Sequence, residues 1–212
     1  MDFLILLPAL GFFLLNVFVP GPNVLNTIAT SIGSGYRTSL ACASACGLGI
    51  LLWATAALFG AAAFFQRFPL ANQSLIIIGS ILLLYFSYRY FKRSFEKKHE
   101  IVSIKDQSFR SAFWQAFLIM MTNPKVLTTW LTVISLFPLI TESLINISAF
   151  IILSALASFC GHAIFAIFFS SKKAAIVYLF LYRPLNAFVG IGFCIYGLNL
   201  LVNTLPHLIF YG

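Results

Sequence analysis

Pro20-Gly21-Pro22-Asn23 and Asn123-Pro124-Lys125 are the two places where proline, amide and charge crowd into otherwise apolar runs of this chain. Proline has no N–H, and its ring clashes with the carbonyl four residues earlier, so a helix passing through either cluster must break. Pro20 and Pro22 are expected to release the carbonyls of Asn16 and Phe18, and Pro124 that of Met120. Freed carbonyls coordinate a cation or an ammonium group, whereas a helix that restarts after the break turns its N–H groups and positive dipole end toward an anion. Each break therefore offers something to both ends of a zwitterion. Gly21 brings no side chain and lets a ligand approach the backbone.

The neighbouring polar residues extend this pattern. Asn16, Asn23, Thr27 and Thr30 fall at spacings of seven, four and three, which is one helical face if the break does not rotate its two halves. Gln115, Thr122, Lys125, Thr129 and Thr132 make a comparable stripe around the second break. Together they predict an aqueous cavity lined by Asn16, Pro20, Gly21, Pro22, Asn23, Thr27, Thr122, Asn123, Pro124, Lys125 and Thr129. The plainer reading is two kinked helices whose hydroxyls bond back to their own turns.

Lys125 is the sharpest single residue. It stands about fifteen residues, roughly 22 Å, from the basic end of its run, too far for one lysine side chain to reach. A charge at mid-bilayer costs about 3 kcal/mol on insertion scales. All five acidic residues, Asp2, Glu96, Glu100, Asp106 and Glu142, lie outside the apolar runs. Lys125 must then face water, lose its proton, bond to carbonyls or bind an anionic group brought by a solute. Capture of a solute carboxylate is the favoured reading, and a carbonyl-bonded structural lysine is the plainer one. His162, with Ser154 and Ser158 on its face, is a candidate proton carrier alongside Lys125; a hydrogen-bonded structural histidine is the alternative. There is no paired-histidine metal motif, acidic cluster, phosphate-cradling glycine loop or intramembrane aspartate pair. No enzyme activity, metal or cofactor is expected.

What must position these groups is a set of membrane spans. Of 212 residues 61% are apolar and only 8% charged, too little polar surface to cover a soluble globule. Apolar runs at about 3–33, 39–65, 70–91, 111–137, 144–169 and 184–204 each approach the length needed to cross a core of about 30 Å, so six helices are expected. The first run outlasts a signal-peptide core and is read as a retained span. Arg37, the cluster from Arg89 to Arg110, and Lys172, Lys173 and Arg183 fall in three connections on one side. The positive-inside rule makes that side cytoplasmic and places both termini outside. The net charge of +8 is thus topological rather than a nucleic-acid site.

A polar linker at about 92–109 divides a single transmembrane domain, 1–212, into repeats at about 1–91 and 110–212. Three spans per half make the repeat inverted, with spans one and four broken at proline near the midplane. Small residues from Ala41 to Gly60 mark span two as a closely packed helix, and Gly190, Gly192 and Gly197 do the same for span six. Tyr85, Phe86, Tyr88, Tyr90 and Phe91 read as an interfacial aromatic belt. Cys42, Cys46, Cys160 and Cys194 lie in predicted spans and are expected to be free thiols.

This constellation resembles the LysE/RhtB family of bacterial amino-acid exporters. The likeness rests on Pro20-Gly21-Pro22-Asn23, Gly35 and Arg37 in the following turn, Gly47 and Gly49 in span two, and Asn123-Pro124-Lys125. It implies proton-driven export of amino acids or close derivatives across the inner membrane, with Pro22, Asn23, Asn123, Pro124 and Lys125 at the pathway. Many such proteins carry an acidic residue just after a glycine of span two, where this chain reads Gly49-Ile50-Leu51. That departure points to a small neutral substrate, threonine-, leucine- or cysteine-like. The expected partners are that solute and the lipid bilayer, without nucleic acid; a homo-oligomer stays open. Two other readings remain: a non-transporting assembly subunit, and a thiol–disulfide relay. The relay needs a reactive cysteine beside each break, yet the four cysteines fall in spans two, five and six.

Overall fold

In the computed structural model, residues 3–19, 21–67, 71–95 and 104–211 are described. They form eight α-helices and one 3₁₀ turn: α1 (Phe3–Phe18), α2 (Pro22–Ser34), α3 (Tyr36–Arg67), α4 (Ala71–Phe95), α5 (Phe109–Thr122), α6 (Pro124–Leu136), the turn Pro138–Glu142, α7 (Leu144–Phe168) and α8 (Lys172–Tyr211). The same order occurs twice, a bent helix pair followed by two long helices. The pairs bend by 51° between α1 and α2 and by 52° between α5 and α6.

Both bends have one local cause. Pro22 and Pro124 open α2 and α6, a position where a missing N–H is harmless and the fixed φ suits the first turn. The residue before each proline is forced out of helical geometry. Gly21 accordingly has φ −150° and ψ 175°, and Asn123 has φ −76° and ψ 112°. Pro20 lies outside the described residues.

Three helical stretches, Tyr36–Phe64, Leu144–Phe168 and Phe180–Val202, are each long and apolar enough to cross a membrane, and the bent pairs raise the number to five. The run expected at 70–91 is α4, whose 25 residues give about 37 Å of length. The chain is thus an all-helical, multi-pass membrane protein. One expected connection is shorter than its charges suggested: α8 begins at Lys172, so Lys172, Lys173 and Arg183 belong to the helix. Arg183 is held against α4, donating from Nε to the Ser94 carbonyl at 2.7 Å.

Helices of the two halves pack against their counterparts, α3 along α7 and α4 along α8. Glycines permit the closeness. A Cβ on Gly47 would stand 3.1 Å from that of Phe159 in α7, and one on Gly190 would stand 3.3 Å from the Ser87 carbonyl in α4. Ser87 reinforces that second contact by donating to the Gly190 carbonyl at 2.8 Å. The expected aromatic belt divides by helical period: Tyr85 and Tyr88 face outward, whereas Phe86 and Tyr90 turn inward and pack on Phe193. Cys42 and Cys46 are buried, Cys160 is exposed and Cys194 half-buried, all four as free thiols.

The linker returns to the bundle over the end of α2. Gly35, with φ 86°, makes the turn from α2 into α3 in a conformation that favours glycine. Just before it, Ile104 donates its N–H to the Ala29 carbonyl at 3.1 Å, and Ser34 donates to the Ile104 carbonyl at 2.7 Å. Gln107 continues the strap, its N–H donating to Ser34 Oγ at 3.0 Å while its side chain bonds Thr30 and Gln115. Gly33 leaves room for this passage, because a Cβ there would overlap the backbone of Ile104. Gly33→Ala should therefore lift the strap: limited proteolysis of the purified protein is expected to cut near residues 104–107 faster than in the native chain. An unchanged cleavage rate would contradict that packing.

Candidate functional site

The site is built where the two bends meet. Asn123 caps α6, its side-chain oxygen accepting from the Lys125 N–H at 3.0 Å. This cap directs the first turn of α6, and with it Lys125, toward the end of α1. Lys125 Nζ donates to the carbonyls of Asn16 at 2.8 Å and Val19 at 3.1 Å. The Asn16 carbonyl is the one that a proline at position 20 leaves without its helical N–H. An ammonium thus ends α1, at the pole of the helix where the dipole favours positive charge. The carbonyl-bonded alternative for Lys125 is therefore the arrangement seen. It stands beside a cavity rather than in packed core.

The cavity itself has a volume of ≈ 50 Å³, room for a few water molecules and much less than a ligand-filled pocket. Seven of the sequence-predicted residues border it: Asn16, Gly21, Asn23, Asn123, Lys125, Thr129 and His162. Gly21 lies directly under the ammonium, since a Cβ there would stand 3.5 Å from Lys125 Nζ. Thr129 donates to the Lys125 carbonyl at 2.7 Å and lies 3.3 Å from Asn16 Oδ1, tying α6 to α1. Pro124 opens α6, and Pro22 faces a neighbouring cavity instead.

Five residues of the predicted stripes fall elsewhere: Thr30 and Gln115 bond Gln107, Thr132 donates to the Thr128 carbonyl at 2.8 Å, and Thr27 and Thr122 also turn away from the cavity. Thr27 is fully buried and donates to the Asn23 carbonyl at 2.8 Å, the self-bonded state of a membrane-helix threonine. Thr122 is exposed and donates to the Leu118 carbonyl at 2.8 Å. For Thr122 the physical reason is the bend: it ends α5, and a 52° break separates its face from that of Lys125 in α6. Thr27 stands one turn beyond Asn23 in α2, past the cavity and within the helix packing.

Four buried polar atoms on the cavity lining have no hydrogen-bond partner: Asn16 Nδ2, Asn23 Oδ1, Trp130 Nε1 and His162 Nε2. Orphaned buried polar atoms are rare and each costs about 1–3 kcal/mol, so their convergence on one space marks it as a place for a polar ligand or water. His162 Nδ1 is 2.8 Å from the Ser158 carbonyl. A carbonyl only accepts, so Nδ1 carries the hydrogen, and Nε2 is the ring atom left for the cavity. Asn23 Nδ2 meanwhile rests 3.4 Å from Met120 Sδ, a weak acceptor that a better one would displace.

Apart from Ser158, beside His162, the remaining wall is apolar, formed by Phe13, Val17, Val24, Ile50, Met120 and Val126. Among the described residues, no carboxylate borders the cavity. Ile50 occupies the place after Gly49 that the sequence singled out. Trp130 and Ile50 were not among the predicted site residues, because each reads as one more apolar residue in a span. An indole N–H inside a membrane helix requires a partner, and that requirement is the signal by which Trp130 was legible.

The sequence pattern of the LysE type translocator family matches residues 14–204. The chain belongs to that family. It is accordingly a membrane transporter and not an enzyme. Leucine efflux proteins of Salmonella typhimurium (strain LT2), Salmonella typhi and Salmonella choleraesuis (strain SC-B67) are each 25% identical to it over 146 residues, covering 68% of this chain and 69% of theirs. No solved structure matches the chain.

The cap makes a stability prediction. Asn123→Ala should lower unfolding stability in detergent by about 1 kcal/mol, a fall of about 2–4 °C in Tm, whereas Asn123→Ser retains a capping oxygen and most of the stability. An equal fall for both would show that the cap does not hold α6 in place.

Proposed function

We propose that this translocator exports amino acids with small, neutral, apolar side chains across a bacterial inner membrane, driven by the proton gradient. The observation that carries this reading is the division of one cavity into two parts. Lys125, the orphaned donors of Asn16 and Trp130, and the opening turn of α6 suit a carboxylate. Asn23 Oδ1 and the His162 Nε2 lone pair suit an ammonium. The wall that includes Ile50, Met120, Val17 and Val24 offers the side chain an apolar surface. Without a carboxylate beside it, a lysine- or arginine-like side chain would be buried unpaired at a large cost.

In this reading the ammonium of Lys125 exchanges partners. With the cavity empty it bonds the Asn16 and Val19 carbonyls; with solute bound it takes the carboxylate, and the freed carbonyls let α1 move against α6. His162 Nε2 takes the coupling proton only when the solute ammonium is absent, so proton and ammonium exchange at one atom. The names of the matched relatives, leucine efflux proteins, support both the direction and the side chain. The abundance of basic residues at the linker end supports placing that end in the cytoplasm, with both termini outside and two inverted repeats of three spans. A thiol–disulfide relay gains no support, since none of the four cysteines borders the cavity.

Efflux of a panel of labelled amino acids from cells, compared between the native chain and Lys125→Ala at equal membrane abundance, tests the assignment. Leucine-like efflux abolished by the substitution is expected; absence of efflux for every panel member would overturn the exporter, and undiminished efflux by the variant would remove Lys125 from the pathway.

A further inference from the structure

A second cavity, ≈ 190 Å³ in volume, lies on the other side of Lys125 and shares Lys125 and Asn123 with the first. Its lining holds Arg89 and Arg93 of α4, with Tyr85 and Tyr90 beside them and, among the described residues, no Asp or Glu. We propose that this space is a vestibule that receives the carboxylate of the solute from the basic side and passes it to Lys125, a role that rests on the amino-acid reading above.

Position, charge and rigidity all bear on it. Arg89 and Arg93 stand six and two residues before Phe95, at the end of α4 that leads into the linker, so the row Arg93, Arg89, Lys125 runs inward from the basic face. Cations of one sign along a low-dielectric cleft focus the field and raise the local concentration of the opposite charge. The two guanidinium groups are also oriented. Arg89 donates to the Tyr85 hydroxyl at 3.0 Å and lies 5.8 Å from that ring's centre, and Arg93 lies 5.8 Å from the centre of the Tyr90 ring. Tyr90 is itself fixed, buried against Phe193 at 5.7 Å between ring centres. An arginine beside an aromatic ring binds a carboxylate in a two-pronged fashion that lysine does not reproduce.

An ordinary membrane-flanking arginine serves only to sit at lipid headgroups, and Lys92 is the built-in comparison: it is exposed on the same helix and borders neither cavity. The carboxylate of a solute and the phosphate of an anionic lipid present the same chemistry to the two arginines, so the test must separate them.

Proteoliposomes with the basic side outward would be made from phosphatidylcholine alone and from phosphatidylcholine with phosphatidylglycerol, and uptake of labelled leucine measured for the native chain, Arg89→Gln/Arg93→Gln, Arg89→Lys/Arg93→Lys and Lys92→Gln. The proposal expects the double glutamine variant to raise KM about 5- to 10-fold at unchanged kcat in both lipids. Partial recovery is expected with the double lysine variant and no change with Lys92→Gln. An unchanged KM overturns it, and so does a KM effect confined to phosphatidylglycerol vesicles, which assigns the arginines to lipid. A second readout does not depend on transport: in phosphatidylcholine nanodiscs, leucine should protect Arg89 and Arg93 from phenylglyoxal and leucinamide should not. Failure of the native chain to carry leucine, with protection retained, would count against the exporter reading alone; absence of protection by leucine would count against the vestibule.

Discussion

The contact between Lys125 and the carbonyls of Asn16 and Val19 is the interaction on which the rest of this architecture turns. Each of its components would be unfavourable alone. A lysine in the first turn of α6 lies at the wrong pole of that helix's dipole, and the last carbonyls of α1 lack amide partners because the chain ahead of them is broken by proline. Together the two defects cancel. The ammonium closes α1, Asn123 closes the start of α6, and Thr129 reaches back to Asn16, so the bent pair of one half is fastened to the bent pair of the other.

Because this junction is made of polar groups with further bonding capacity, it is also where a solute can compete. Three hydrogens belong to the ammonium, and two are used by the carbonyls. Around it, Asn16, Asn23, Trp130 and His162 each retain an unpartnered atom. The small volume between them, ≈ 50 Å³, describes a closed state that must open for anything larger than water. On the linker side the strap at Ile104–Gln107 covers the end of α2, and Thr30 and Gln115 beneath it are bonded to Gln107. Elements that move in transport are drawn from such thinly packed, hydrogen-bonded contacts rather than from the glycine-lined helix pairs α3 with α7 and α4 with α8.

Much of this was legible in the chain because proline acts locally. The positions of both breaks, the release of the Asn16 carbonyl, and the absence of a carboxylate partner for Lys125 all follow from covalent geometry and composition. What depends on rotation about the break was not. Thr122 shares sequence spacing with Lys125, yet a bend near 50° directs it outward, and Thr27, one turn beyond Asn23 in α2, already lies in helix packing past the end of the cavity. The apolar wall, Phe13, Val17, Val24 and Val126, was hidden for a different reason, since apolar character is uniform along a membrane span and does not say which residue faces a cavity. The start of α8 at Lys172 was hidden by its charges, which read as a connection although nothing before Pro184 in that segment breaks a helix.

The central claim is that Lys125 and its neighbours recognise a carboxylate next to an ammonium. It is tested most directly by thermal unfolding of the purified protein with leucine, leucinamide and isoamylamine added in turn. Leucine at a hundredfold excess over its Kd should stabilise the native chain by about 2.7 kcal/mol, with little effect from the two ligands that lack a carboxylate and no effect of leucine on Lys125→Met. Equal stabilisation by leucine and leucinamide would contradict the account, because the cavity would then be reading something other than the carboxylate that Lys125 is placed to hold.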